Sequence, residues 1–193
     1  ALTSGEPGEA SLGLLFHNLV RLPSLLAGPL GYGWGLGWLD TAMPALVGVS
    51  MLIVFGYLFL TGLATLWRRK GIALAMSFAV LVLLPLYMLM IGGNLVGENV
   101  QPRYTMALLT GTLAIALVGV TRMETVEIPR NPMIAIAVLI AVSHSAALHT
   151  NIRRYTTGLD EGAFNLDADL QWWWETGPSP LTVWFLGTVA FAA

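Results

Sequence analysis

Apolar residues fall in long runs along this chain, and polar ones gather in the stretches between them. Residues 43–67, 71–91, 104–120 and 132–149 form runs of 17 to 25 residues, and about 20 residues at 1.5 Å rise cross a hydrocarbon core of about 30 Å. A fifth run occupies residues 181–193. Unpaired backbone groups are costly in lipid, and the closed-barrel alternation of apolar and polar residues is missing, so the runs predict transmembrane helices. Pro85 lies inside the second run, where it predicts a kink and not a break, because neighbouring helices can absorb the freed carbonyl. Residues 11–30, "SLGLLFHNLVRLPSLLAGPL", are apolar but interrupted by His17, Asn18, Arg21 and Pro23, which predicts a short amphipathic helix in the membrane interface. The expected fold is all-α: a polytopic transmembrane helix bundle of four full spans and a truncated fifth, preceded by an interfacial N-terminal helix. No period of 20–50 residues repeats and no low-complexity linker divides the chain, so residues 1–193 read as one membrane domain.

The short connections predict an orientation. "RRK", Arg68 to Lys70, reads as a tight cytoplasmic turn by the positive-inside rule, and threading from it places residues 121–131 inside as well. Residues 1–42, 92–103 and 150–180 then lie outside. Five basic residues fall inside and four outside, while nine of the eleven acidic residues fall in the three external segments.

Composition agrees with a bilayer as the solvent. The 193-residue chain is 56% hydrophobic and 10% charged, against roughly 25% charged in a soluble domain. Its net charge of −2 and scattered Lys and Arg give no basic stripe, so no nucleic-acid partner is expected. With no cysteine there is no disulfide, thiolate metal site or Cys nucleophile. The first residues, "ALTSGEPGEA", have neither a positive n-region nor an apolar h-region, and the chain reads as the C-terminal part of a longer one.

The candidate chemistry sits at the expected outer ends of the spans. Asp40 follows the Gly- and Trp-rich "GYGWGLGWL"; it reads either as a cap on the first span or as a surface carboxylate for a sugar hydroxyl or a metal. In "GENVQPRY", Pro102 suits a helix start and Arg103 stands at the mouth of the third span. Its guanidinium suits a bidentate grip on a lipid phosphate, or else snorkels to the headgroups paired with Glu98. Arg153 and Arg154 form a second candidate phosphate clamp, with Tyr155 beside them to stack or donate. Asp160, Asp167 and Asp169 are hard oxygen donors that would suit a divalent cation, but the spacing lacks the glycine and glutamate of a calcium loop; a solvated acidic loop is the simpler reading. Trp172, Trp173 and Trp174 read as an aromatic belt, with carbohydrate stacking, notably on Trp173, as the rival. His144 and His149 are about 140° apart on a helix and make a poor metal pair; no metal site is assigned.

"GLGWLDTAMP", "VQPRYTMALL", "NIRRYTTGLD", the triple tryptophan and "SPLTVWFLGTVAFA" together resemble the C-terminal half of a domain-of-unknown-function family of bacterial, notably actinobacterial, polytopic membrane proteins. That family looks related to the GT-C glycosyltransferase superfamily. The resemblance implies a plasma-membrane protein with extracytoplasmic polar loops and a polyprenyl-phosphate sugar as partner. It implies donor binding by Arg103 supported by Arg153 or Arg154, and contacts to sugar or acceptor from Asp40, Tyr104 and the tryptophans. The catalytic carboxylate of such enzymes has no counterpart here and is expected outside these residues. A transporter or flippase for lipid-linked saccharides and an envelope scaffold are the alternative readings.

Overall fold

A computed structural model describes residues 11–33, 41–119, 129–158 and 164–193. Among the described residues the ordered elements are all helical: α1 (Leu12–Ala27), α2 (Ala45–Leu63), α3 (Arg68–Ile91), α4 (Met106–Leu117), α5 (Arg130–Thr156) and α6 (Pro180–Ala192), with 3-10 turns at Gly28–Leu30 and Pro102–Thr105. Three of them, α2, α3 and α5, are long and apolar enough to cross a membrane; α6 is a shorter apolar helix. A helical membrane bundle is thus the fold. The chain divides into two compact units, residues 1–29 with 55–127 and residues 30–54 with 128–193.

In the first unit α1 packs on α3. Leu22 and Leu25 of α1 meet Leu89 of α3 in a small core bordered by Val82, Val96 and Val100. The interruptions in the α1 sequence have separate tasks. Asn18 is fully buried; its Nδ2 donates to the Asn94 carbonyl at 3.0 Å and its Oδ1 accepts the Val96 N–H at 3.0 Å. One amide thereby ties α1 to the segment that follows α3 and satisfies two backbone groups that burial would otherwise leave unpaired. The other face of α1 leaves Leu12, Phe16, Leu19 and Val20 exposed, the apolar side that an interfacial helix offers to lipid. α3 runs unbroken through Pro85.

The link between α2 and α3 differs from the expected turn. Arg68, Arg69 and Lys70 are the first turn of α3, and residues 64–67 make the connection. Lys70 is buried, its Nζ donating to the Gly62 carbonyl and to Thr65 Oγ1, each at 2.6 Å, with the Trp67 ring 5.3 Å away. An ammonium at the C-terminal end of α2 answers carbonyls that have no partner within the helix and the negative end of its dipole. Gly62 also lets α2 approach α4, since a Cβ there would collide with the Ala116 backbone carbonyl. Ser77 of α3 and Thr112 of α4 share a hydrogen bond of 2.7 Å, a polar pair that suits an apolar setting.

The run at 104–120 was expected to be a full helical span. It is realised as the Pro102–Thr105 turn followed by the 12 residues of α4, which ends where Val118 takes an extended ψ of 127°. By itself α4 rises about 18 Å, short of the hydrocarbon thickness.

In the second unit α5 and α6 pack together. α5 continues to Thr156, so residues 150–156, expected in a loop, are its last two turns. The Arg153 carbonyl accepts the N–H groups of Thr157 and Gly158 at 2.9 and 3.2 Å, and Gly158 takes a φ of +90°, the left-handed residue that closes a helix. α6 starts at Ser179, whose Oγ accepts the Thr182 N–H, with Pro180 in the first turn.

Candidate functional site

The candidate residues fall into two groups, one in each unit, and Asp40 lies outside the described residues together with Asp160. In the first unit Glu98, Arg103 and Tyr104 lie in the segment between α3 and α4 and its closing 3-10 turn. Glu98 is turned onto its own loop, its Oε2 accepting the Leu95 N–H at 2.7 Å. Pro102 is buried and starts the 3-10 turn, which Thr105 Oγ1 braces by donating to the Pro102 carbonyl at 2.8 Å. That turn presents Arg103 and Tyr104 at the surface, with the guanidinium 5.9 Å from the Tyr104 ring centre. A cation beside an aromatic face, held on a proline-initiated turn, suits an anionic or sugar-bearing ligand.

The second group is built on the end of α5. Arg153 is buried and donates from Nη2 to the Asn165 carbonyl at 3.3 Å, while Arg154 lies half-buried over the Tyr155 ring at 4.8 Å. Adjacent in sequence, the two side chains therefore have different surroundings, and Arg154 is the more accessible. The segment that follows is tied back to the helix, with Gln171 and Trp172 donating their N–H groups to the Thr156 carbonyl at 2.9 and 3.3 Å.

Asp167 is engaged at the start of α6. Its Oδ2 accepts from Ser179 Oγ at 2.9 Å and its Oδ1 accepts the Leu181 N–H at 3.0 Å, which makes it a second cap on α6. Asp169 holds a φ of +52°, in the left-handed region that Asp tolerates better than most side chains. Among the described residues no group of three His, Asp or Glu side chains comes together as a metal site.

Trp173 has a bonded indole, its Nε1 donating to the Pro178 carbonyl at 2.9 Å, and its ring meets Trp174 edge-on at 4.7 Å. The rings left exposed are Trp172 and Trp174, themselves edge to face at 5.2 Å. Those two, more than Trp173, offer open faces to a headgroup layer or a sugar.

A feature that the sequence did not reveal lies between α5 and α6. An open cleft of about 460 Å³ is lined by Ala141, Val142, Ser145, Ala146 and His149 of α5, by Trp184 and Thr188 of α6, and by Pro44 and Leu46 at the start of α2. Phe164 roofs it: its ring stacks on His149 at 5.1 Å and meets Trp184 edge-on at 5.5 Å, and its carbonyl bonds His149 Nε2 at 2.9 Å. Two polar residues on the walls bond to protein, Ser145 C=O accepting from Trp184 Nε1 at 2.9 Å and Thr188 Oγ1 donating to Ser145 Oγ at 3.1 Å. His144 stacks on Phe191 of α6 at 3.9 Å. Nothing in the sequence linked Phe164 to His149 across 15 positions.

No curated protein and no solved structure matches the chain. One family model does, described as a predicted membrane protein (DUF2142), over residues 9–112. The match takes in Asp40, Glu98, Arg103 and Tyr104 and ends before α5. It spans more than half of the sequence, and the chain accordingly belongs to the DUF2142 family of predicted membrane proteins.

Proposed function

We propose that this membrane protein is glycosyltransferase-like, related to the GT-C superfamily, and handles a polyprenyl-phosphate sugar at the extracytoplasmic face of a bacterial plasma membrane. The observation that carries the reading is the placement of its arginines at helix ends beside aromatic rings: Arg103 with Tyr104, and Arg154 with Tyr155. A lipid-linked phosphate sits at headgroup depth, where helix ends lie, and guanidinium groups match its oxygens bidentately. In the transfer step they would stabilise the charge that builds on the departing lipid phosphate, while a carboxylate activates the acceptor hydroxyl. Glu98 and Asp167 are engaged as loop and helix caps. Neither is assigned as that base. Trp172 and Trp174 supply the exposed rings for sugar contact.

The described candidate residues lie in the segment after α3 and at or beyond the end of α5, which supports this reading over a transporter, a class that gathers its polar groups at the bilayer midplane.

The test uses the full-length protein in membranes, with a radiolabelled polyprenyl-phosphate sugar as donor. Arg103→Lys and Arg154→Lys should each weaken donor binding by about tenfold, the loss of one bidentate charge-assisted contact. Donor affinity and turnover unchanged in both variants would remove the arginines from the site and the glycosyltransferase reading with them.

A further inference from the structure

We propose that the cleft between α5 and α6 holds one acyl chain of a resident bilayer phospholipid, with the lipid phosphate at the end of α5 that carries Arg153 and Arg154. The inference needs only the membrane setting, but it claims for a resident lipid the α5 end whose Arg154 the donor reading gives to the sugar lipid, and displacement by polyprenyl phosphate separates the two occupants. The cleft volume of about 460 Å³ lies in the range of roughly 300–1,000 Å³ typical of small-molecule sites.

Its walls select the chemistry. Ala141, Val142 and Ala146 offer only hydrocarbon, and Ser145, His149, Trp184 and Thr188 are bonded to protein. A polar ligand would exchange water for walls whose hydrogen-bonding groups already have partners, and an ordered water needs two to four polar partners of its own. A hydrocarbon chain loses nothing by entering. It comes from the surrounding bilayer, since α5 is a membrane-length helix that the rest of the chain covers over only a small part of its apolar window.

Charge fixes the polarity of the occupant. Residues 142, 145/146, 149 and 153 follow one another at helical spacing, so Arg153 stands one turn beyond His149 on the face that forms the cleft. Arg153 donates to Asn165, the neighbour of the roofing Phe164, and Arg154 lies half-buried beside it. A chain in the cleft would thus emerge beneath Arg153, with Arg154 at the same end of α5 but about 140° round the helix from His149. An anionic phospholipid complements both ends, hydrocarbon below and phosphate above.

The experiment embeds the full chain in nanodiscs of phosphatidylcholine that carry a minor fraction of phosphatidylglycerol with a diazirine on one acyl chain. After photolysis, adducts are mapped by peptide. Label on residues 141–149 and 184–188 should exceed that around Leu83, an exposed position on α3, by about tenfold. Ala146→Phe fills the cleft and should lower cleft labelling by about tenfold, the equivalent of roughly two buried methylenes, with the Leu83 region unchanged as the sign of normal insertion. Ala141→Phe, a second filling variant, should act alike. Equal labelling at the cleft and at Leu83 in the parent protein would overturn the proposal. So would displacement of the cleft label by equimolar polyprenyl phosphate, which would make the cleft a donor-lipid site instead.

Discussion

Lys70 brings a positive charge into a buried position, and its surroundings explain how the fold tolerates it. The ammonium replaces lost water with the Gly62 carbonyl and the Thr65 hydroxyl, both at the end of α2, where the helix dipole favours a cation. Burial of a charge still has a cost, so the net contribution is smaller than two charge-assisted bonds suggest. Lys70→Met removes both charge-assisted bonds, leaving the Gly62 carbonyl only its bonds from Thr65, and should destabilise the protein by about 1–3 kcal/mol. Thermal unfolding in detergent would register this as a lower midpoint. An unchanged midpoint would mean that desolvation offsets the bonds entirely. The same sequence triplet, read as three loop cations, gave no hint that one of them is enclosed, because its partners lie five and eight positions back. Asn18 is similar. Its polarity within an apolar run was plain, but its two backbone partners, at Asn94 and Val96, lie more than seventy positions away.

Among the elements, helix existence followed from the length of the apolar runs, and helix ends did not. α5 outlasts its apolar run because Thr150 through Thr156 continue the backbone pattern until Gly158 closes it. α4 falls short of its run because the Pro102 turn takes the beginning and Val118 leaves the helix early. The start of α6 was half legible, since Ser179 and Pro180 are local signals; the second cap, Asp167, comes from 14 positions before the N–H that it accepts. That cap joins the 164–179 segment to α6, so Asp167→Ala should cost about 1–2 kcal/mol and loosen both. Hydrogen exchange should quicken at Leu181 and at neighbouring amides of the segment. Protection equal to that of the parent would show that Ser179 caps α6 alone. In the candidate site, the arginines and tryptophans were legible as types, whereas the division of labour among them was not. Arg153 differs from Arg154, and Trp173 from its neighbours, only through contacts made by the folded segment.

For the whole molecule, the distribution of cations predicts the sidedness. Arg68 and Arg69 are exposed at the α2–α3 link, and this favours the cytoplasm for that end. With the runs that contain α3, α4 and α5 each crossing once, the segment after α5 is expected on the opposite side. A periplasm-active reporter inserted at Gly177 should be active, and one inserted in the 64–67 link should be silent. The reverse result would invert the orientation and move the arginine-bearing ends to the cytoplasm.

The length of α5 has one more consequence. Its 27 residues rise about 40 Å, some 10 Å more than a typical hydrocarbon core. A helix with that surplus tilts or protrudes, and Arg153 and Arg154 ride at the protruding tip. Their depth therefore depends on how thick the host membrane is. A thicker bilayer would draw the guanidinium groups down toward the acyl layer and a thinner one would lift them clear, so lipid composition alone would set how deep this charged tip sits.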